Sequence, residues 1–145
     1  AALEALDEMI QVDPDRAAGL VASKFQILLL EQKDSDKAYA LARDAVESLA
    51  KDDGNALNMI AWTIVDPDRV PGKKDLDVAL KAASRADELT KGKDPSIIDT
   101  LARVCFEMGD KAKAIDPQKK AIGLARGPLK EQLEEALKKY EAEKP

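Results

Sequence analysis

Apolar residues recur at spacings of three and four along almost the whole chain, and clusters of Gly, Pro and Asp interrupt them every 15 to 20 residues. Leu3, Leu6 and Ile10 form one apolar face, which ends at Asp13-Pro14. Asp15 is placed to cap a second helix running to about Leu30, with Lys33-Asp34-Ser35 as the turn after it. Ser35 or Asp36 opens a third helix that continues to about Ala50, and Asp52-Asp53-Gly54 breaks it. A fourth runs from Asn55 to about Val65. Residues 66–72 then hold two prolines and a glycine and read as a loop. The fifth helix spans about Asp75 to Thr90 and stops at Lys91-Gly92-Lys93. Asp94 and Pro95 give an N-cap followed by proline at the first helical position, and this sixth helix runs to Glu107 before Gly109. A seventh runs from Lys111 to about Arg126. Its interior proline, Pro117, predicts a kink or break near Ile115 to Pro117, because it deletes a backbone hydrogen bond at a cost of about 3 kcal/mol. Gly127-Pro128 starts an eighth helix with Leu129, Leu133, Ala136, Leu137 and Tyr140 on one stripe and charge on the other face. No segment sustains a period of two, so the predicted class is all-α.

A longer period lies over the helical one. The third helix carries Ala38, Ala42 and Ala45, the fifth Ala79, Ala83 and Ala86, and the seventh Ala114, Gln118 and Ala121. Each set is spaced i, i+4, i+7, which is one helix face. Ala2, Leu6 and Met9 repeat that spacing in the first helix. The leading positions Ala2, Ala38, Ala79 and Ala114 lie 36, 41 and 35 residues apart, and the loop at 66–72 accounts for the longest interval. Small residues at these places allow two helices of a pair to approach closely. Self-similarity at this period is the mark of a stacked two-helix repeat.

With Leu101-Ala102, Cys105, Gly109-Asp110, Ala114 and Ala121 in place, the chain resembles the tetratricopeptide repeat (TPR) family. The resemblance implies a right-handed α-α solenoid of about eight helices. It divides the chain into a half repeat (1–14), three repeats (15–51; 54–91 with the loop insertion 66–72; 94–126) and a C-terminal capping helix (128–144). A narrower likeness rests on Leu57-Asn58-Met59-Ile60-Ala61-Trp62, the Pro-rich loop, Gly92-Lys93-Asp94-Pro95 and Asp99-Thr100-Leu101-Ala102. These are similar to TPR tails attached to bacterial thioredoxin-fold (redoxin) proteins. That likeness implies the non-catalytic part of a larger enzyme, a covalently attached upstream domain, and a place in the bacterial cell envelope or periplasm. Without it, a cytoplasmic place is expected.

Composition narrows the chemistry. The net charge is −5, and Lys and Arg are interleaved with Asp and Glu throughout. The basic footprint that nucleic acid requires is therefore missing. The longest uncharged apolar runs, such as Phe25 to Leu30, are far too short for a membrane span. There is no histidine, which removes the commonest general base and metal ligand together. The single cysteine, Cys105, has no partner for an internal disulfide or a CxxC pair and reads as a buried structural thiol. Asp66, Asp68 and Asp75 lack the Gly and distal Glu of an EF-hand loop. No enzyme, metal or cofactor site is expected. The chain begins at Ala1 without a signal-like segment and reads as a piece of a longer protein.

In the resembled fold the first helix of each pair lines the concave face. That places Lys24 and Ile27, then Asn55, Asn58, Met59 and Trp62, then Asp99, Arg103 and Phe106 along a groove, with Glu31 at its edge. Trp62 is the sole tryptophan, and Trp and Arg are enriched at binding hot spots. Each has a plainer use: Trp62 packed under the loop of Pro67 and Pro71, Phe106 in the core, and Arg103 paired with Asp99 along its helix. The carboxylate clamp by which some TPR domains hold acidic C-termini is missing. Its places carry Ser23 and Ile27, Met59, and Ser96 and Thr100. The function expected is a non-catalytic protein- or peptide-binding or scaffolding module. The alternative is the accessory C-terminal tail of a thiol–disulfide enzyme.

Overall fold

A computed structural model describes residues 2–142. The described residues form eight α-helices and no strands: α1 (Ala2–Val12), α2 (Ala17–Gln26), α3 (Ser35–Glu47), α4 (Gly54–Val65), α5 (Leu76–Leu89), α6 (Pro95–Glu107), α7 (Lys111–Leu124) and α8 (Gly127–Ala142). The capping helix expected over 128–144 is thus seen to Ala142, and its last two residues lie outside the described part.

Aspartate sets most of the starts. Asp34, Asp53, Asp75, Asp94 and Asp110 each precede a helix, and each carboxylate accepts a backbone N–H of the first turn. This satisfies donors that a helix start otherwise leaves bare. Two starts differ from expectation. Asp34 caps α3 in place of Ser35 or Asp36. Asp15 caps nothing, because residues 13–16 form a turn in which the Arg16 N–H donates to Asp13 O at 3.2 Å. Arg16 therefore precedes α2, with no side-chain cap. The second helix also changes winding before Leu30. Residues Ile27–Glu31 form a π-turn, and the Gln32 N–H donates back five residues to Ile27 O at 2.9 Å.

The break expected at Pro117 is absent, for α7 runs unbroken across it. The carbonyl the proline orphans belongs to Lys113, and Lys113 is exposed. A carbonyl on the solvent side of a helix can take water in place of the lost N–H. Ala114, Gln118 and Ala121 meanwhile hold both sides of the proline in the core.

Neighbouring helices pack on one another, α1 on α2, α2 on α3, α4 on α5, and so on to α7 on α8. In addition α2 packs on α4, α4 on α6, and α3 on α5. The main core runs through α2 to α6, with Phe25, Leu57, Ile60, Ile64 and Ile97 fully buried. Two smaller clusters close the C-terminal end. One joins Ile98, Ala121, Ala125 and Leu133, and the other Ala102, Cys105, Ala114 and Tyr140. The recurring small residues of α3, α5 and α7 are at most 1% exposed. The loop between α4 and α5 is pinned from several sides. The Tyr39 hydroxyl donates to Lys73 O, Arg43 pairs with Asp75 at 3.1 Å, and Pro71 is buried.

Candidate functional site

Three helices and the loop enclose a groove of about 620 Å³. Trp62 enters from the third turn of α4, and Pro67 and Asp68 from the loop. Asp99 and Arg103 enter from α6, four residues apart and therefore on one face. The far wall is α8, which presents Gln132, Leu133, Glu135, Ala136, Lys139 and Tyr140. The apolar part is Trp62, Pro67, Leu133, Ala136 and Tyr140. Asp68, Asp99, Glu135, Arg103 and Lys139 supply charge of both signs.

The positions of the two charged residues on α6 are fixed from behind. Arg103 Nη2 donates to Glu107 Oε1 at 2.8 Å, and Lys74 Nζ meets the same oxygen at 3.1 Å. The Arg103 guanidinium lies 5.5 Å from the centre of the Phe106 ring, which stacks in turn on Tyr140 at 4.6 Å. Arg103 Nε is buried without a hydrogen-bond partner, as is Asn58 Oδ1. The partner expected for Arg103 was Asp99, and the structure gives Glu107 instead. Asp99 is taken by Gln118, whose Nε2 donates to Asp99 Oδ1 at 2.9 Å and to Leu133 O at 3.0 Å. Gln118 is fully buried, so this one amide ties α6, α7 and α8 together behind the groove.

Burial shapes the titration of these groups. It raises the Asp99 carboxyl above the usual range, although the Gln118 bond and the Arg103 charge pull the other way. Burial and then the nearby Asp99 charge push the Tyr140 hydroxyl up to about 12. Glu107 moves in the opposite direction. Burial opposes its charge, but Lys74 and Arg103 outweigh that and hold the carboxyl below its ordinary value.

The nine residues expected along one groove separate into groups. Trp62, Asp99 and Arg103 line the groove together, and the half-buried Phe106 supports Arg103 from behind. Asn55 and Met59 are exposed on α4 outside it, and Asn58 turns its oxygen inward. Ile27 begins the π-turn. Lys24 binds Asp7 at 2.6 Å in a separate groove between α1, α2 and α3. Trp62 also packs on the main core, so the same side chain meets both the core and the groove. Sequence alone does not mark the α8 residues as groove residues, because the helix has the pattern of a cap with one solvated face. Gln118 did leave a signal: it is the one polar residue among the small-residue positions of α3, α5 and α7.

Cys105 is buried, and burial with the Asp110 charge raises its thiol pKa, which disfavours the reactive thiolate. Asp66 and Asp75 are engaged locally, Asp66 with the Asp68 N–H at 2.8 Å and Asp75 with Arg43 and the start of α5. Among the described residues no group of three or more Cys, Asp or Glu is placed to hold a metal ion, and no helix is long and apolar enough to cross a membrane. No protein-family profile, curated protein or solved structure matches this chain.

Proposed function

We propose that the chain is a non-catalytic binding module that holds a protein or peptide segment in the groove between α4, α6 and α8. It does so as a right-handed solenoid of TPR-like helix pairs. The observation that carries the reading is the groove itself. The sole Trp and a braced Arg reach it from successive first helices, and a broad apolar floor lies between charges of both signs. A groove walled by helices loses little entropy on binding, and Trp and Arg are the residues that dominate such interfaces. The mixed rim suits a segment with one large apolar anchor flanked by residues of either charge. Binding needs only shape and these anchors, with no chemical step.

The test is selection of peptides from a random displayed library against the immobilised protein, followed by affinity measurement by calorimetry. Trp62→Phe and Trp62→Ala with Arg103→Met are then compared with the natural chain, and circular dichroism verifies helicity. A hot-spot Trp is worth about 2 kcal/mol or more, or about thirty-fold in Kd. A loss of that order in the Ala variant, partly spared in Phe, supports the proposal. Unchanged affinity in a double variant that keeps its helicity overturns it.

A further inference from the structure

The loop between α4 and α5 borders two grooves. Pro67 and Asp68 face the one that holds Trp62, while Val70, Pro71 and Lys73 line one side of a second, of about 400 Å³. Leu30, from the π-turn, and Lys33, from the turn after it, line the other side. Val70 is 61% exposed, yet the loop that carries it is fixed. Pro71 is buried, and Tyr39 and Arg43 hold Lys73 and Asp75. The charge is unlike that of the Trp62 groove. No carboxylate lines this one, and its two charged residues are lysines, one on each side. The carboxylates close by in sequence are engaged elsewhere. Asp34, next to Lys33, accepts the Lys37 N–H at the start of α3. Asp75, just beyond Lys73, pairs with Arg43 at 3.1 Å. Among the described residues Lys33 and Lys73 have no ion-pair partner.

We propose that this second groove binds an acidic peptide segment, one apolar residue of leucine size with a carboxylate on each flank. The apolar side chain sits between Leu30 and Val70, and the carboxylates meet Lys33 and Lys73. The two-sided placement of the lysines is what asks for acid on both flanks. Burial of the apolar residue supplies affinity, and the lysines select against basic segments. The whole chain carries a net charge of −5, so it repels acidic ligands in general. An acidic peptide therefore gains here only from a local pair of cations. The same net charge, with the apolar surface recessed between two segments, fits a peptide better than an anionic membrane. The proposal does not depend on what the Trp62 groove holds.

The probe is a short peptide with one leucine between paired glutamates, titrated into the isotope-labelled full chain and followed by amide shifts. Saturable shifts at Lys33, Val70 and Lys73 with Kd below about 1 mM are expected. An exposed ion pair is worth up to about five-fold in Kd, so Lys33→Gln with Lys73→Gln should weaken binding about ten-fold. Val70→Ser, and a peptide with serine in place of leucine, should each weaken it several-fold. Lys93→Gln with Lys130→Gln removes the same charge from exposed lysines elsewhere and should leave Kd unchanged, as should Trp62→Ala. All these positions are outside the buried core, and circular dichroism verifies helicity. Absence of saturable shifts overturns the proposal. So does an equal loss in both lysine pairs, which makes the attraction a matter of net charge. Full affinity for the serine peptide would leave an anion site without an apolar pocket, and overturns it too. A loss with Trp62→Ala alone would assign the peptide to the other groove and overturn it. Cosedimentation with anionic phospholipid vesicles that the Lys33 and Lys73 changes abolish, without peptide binding, would give the surface to a membrane and overturn it as well.

Discussion

Gln118→Leu should destabilise the protein by an amount that depends on pH. The substitution keeps side-chain volume nearly constant and removes two hydrogen bonds, to Asp99 Oδ1 at 2.9 Å and to Leu133 O at 3.0 Å. A bond to an ionised carboxylate contributes about 1.5–3 kcal/mol and one to a backbone carbonyl about 0.5–1.5 kcal/mol. Against this, leucine also removes Gln118 Oε1, which is buried without a partner and costs the natural protein about 1–3 kcal/mol. The net loss at neutral pH should be about 1–2 kcal/mol. Asp99 supplies the pH dependence. Burial raises its pKa on folding, so it favours the folded state when protonated, and that contribution is lost as pH rises through the folded pKa. Without Gln118 the folded pKa rises further, and the loss continues to a higher pH. The difference between the two proteins should be largest at neutral pH and smallest in acid, below the raised folded pKa, where Asp99 holds its proton. Urea unfolding followed by far-ultraviolet circular dichroism at both pH values measures it. A variant as stable as the natural protein at neutral pH, or an equal deficit at both, would refute the role given to the Gln118–Asp99 bond.

Other substitutions probe the remaining parts. Pro117→Ala restores an N–H to the unbroken α7 and should stabilise the protein by about 1–3 kcal/mol, seen as a higher Tm; no rise would show that the proline costs the helix nothing. Glu107→Gln removes the carboxylate shared by Lys74 and Arg103 and should cost about 2 kcal/mol at neutral pH. The folded pKa of Glu107 is depressed, so its stabilisation is present above its ordinary value of 4.5 and lost as pH falls through the folded pKa; the deficit should vanish in acid, as urea melts across that range would show. Gly92→Ala places a Cβ at φ +65°, about 2.7 Å from Lys120 Nζ. The lysine tip can move but the backbone cannot, so a loss of about 1 kcal/mol in thermal unfolding is expected.

Much of the helical frame was legible because its signals are local. Asp94-Pro95, Gly109 and the alanine phase are short-range features, and each corresponds to a cap, a stop or a buried face in the structure. The π-turn at Ile27–Glu31 was not legible. Residues 25–30 are almost wholly apolar, and a run apolar on every side does not distinguish a bond to the fourth preceding residue from one to the fifth. The proline was legible as a residue, but that α7 stays one helix across it, with Ala114, Gln118 and Ala121 buried on both sides, depends on packing that local spacing does not record. The site was half legible. Trp62, Asp99 and Arg103 follow from helical phase within the resembled repeat. Glu107 as the Arg103 partner, Gln118 as the Asp99 partner, and the α8 wall depend on how three helices stack, which no local spacing records.

We propose that a peptide sits in the groove between α4, α6 and α8, and Trp62 offers a direct report on its occupancy. With one tryptophan, the protein gives one indole N–H signal in a proton–nitrogen correlation spectrum, and Trp62 lines that groove. Titration with a library-selected peptide should shift this signal, together with the amides of Asp99, Arg103, Ala136 and Lys139, saturating at one peptide per chain. Saturation that leaves the Trp62 indole and these amides unmoved, with shifts elsewhere on the molecule, would contradict the claim.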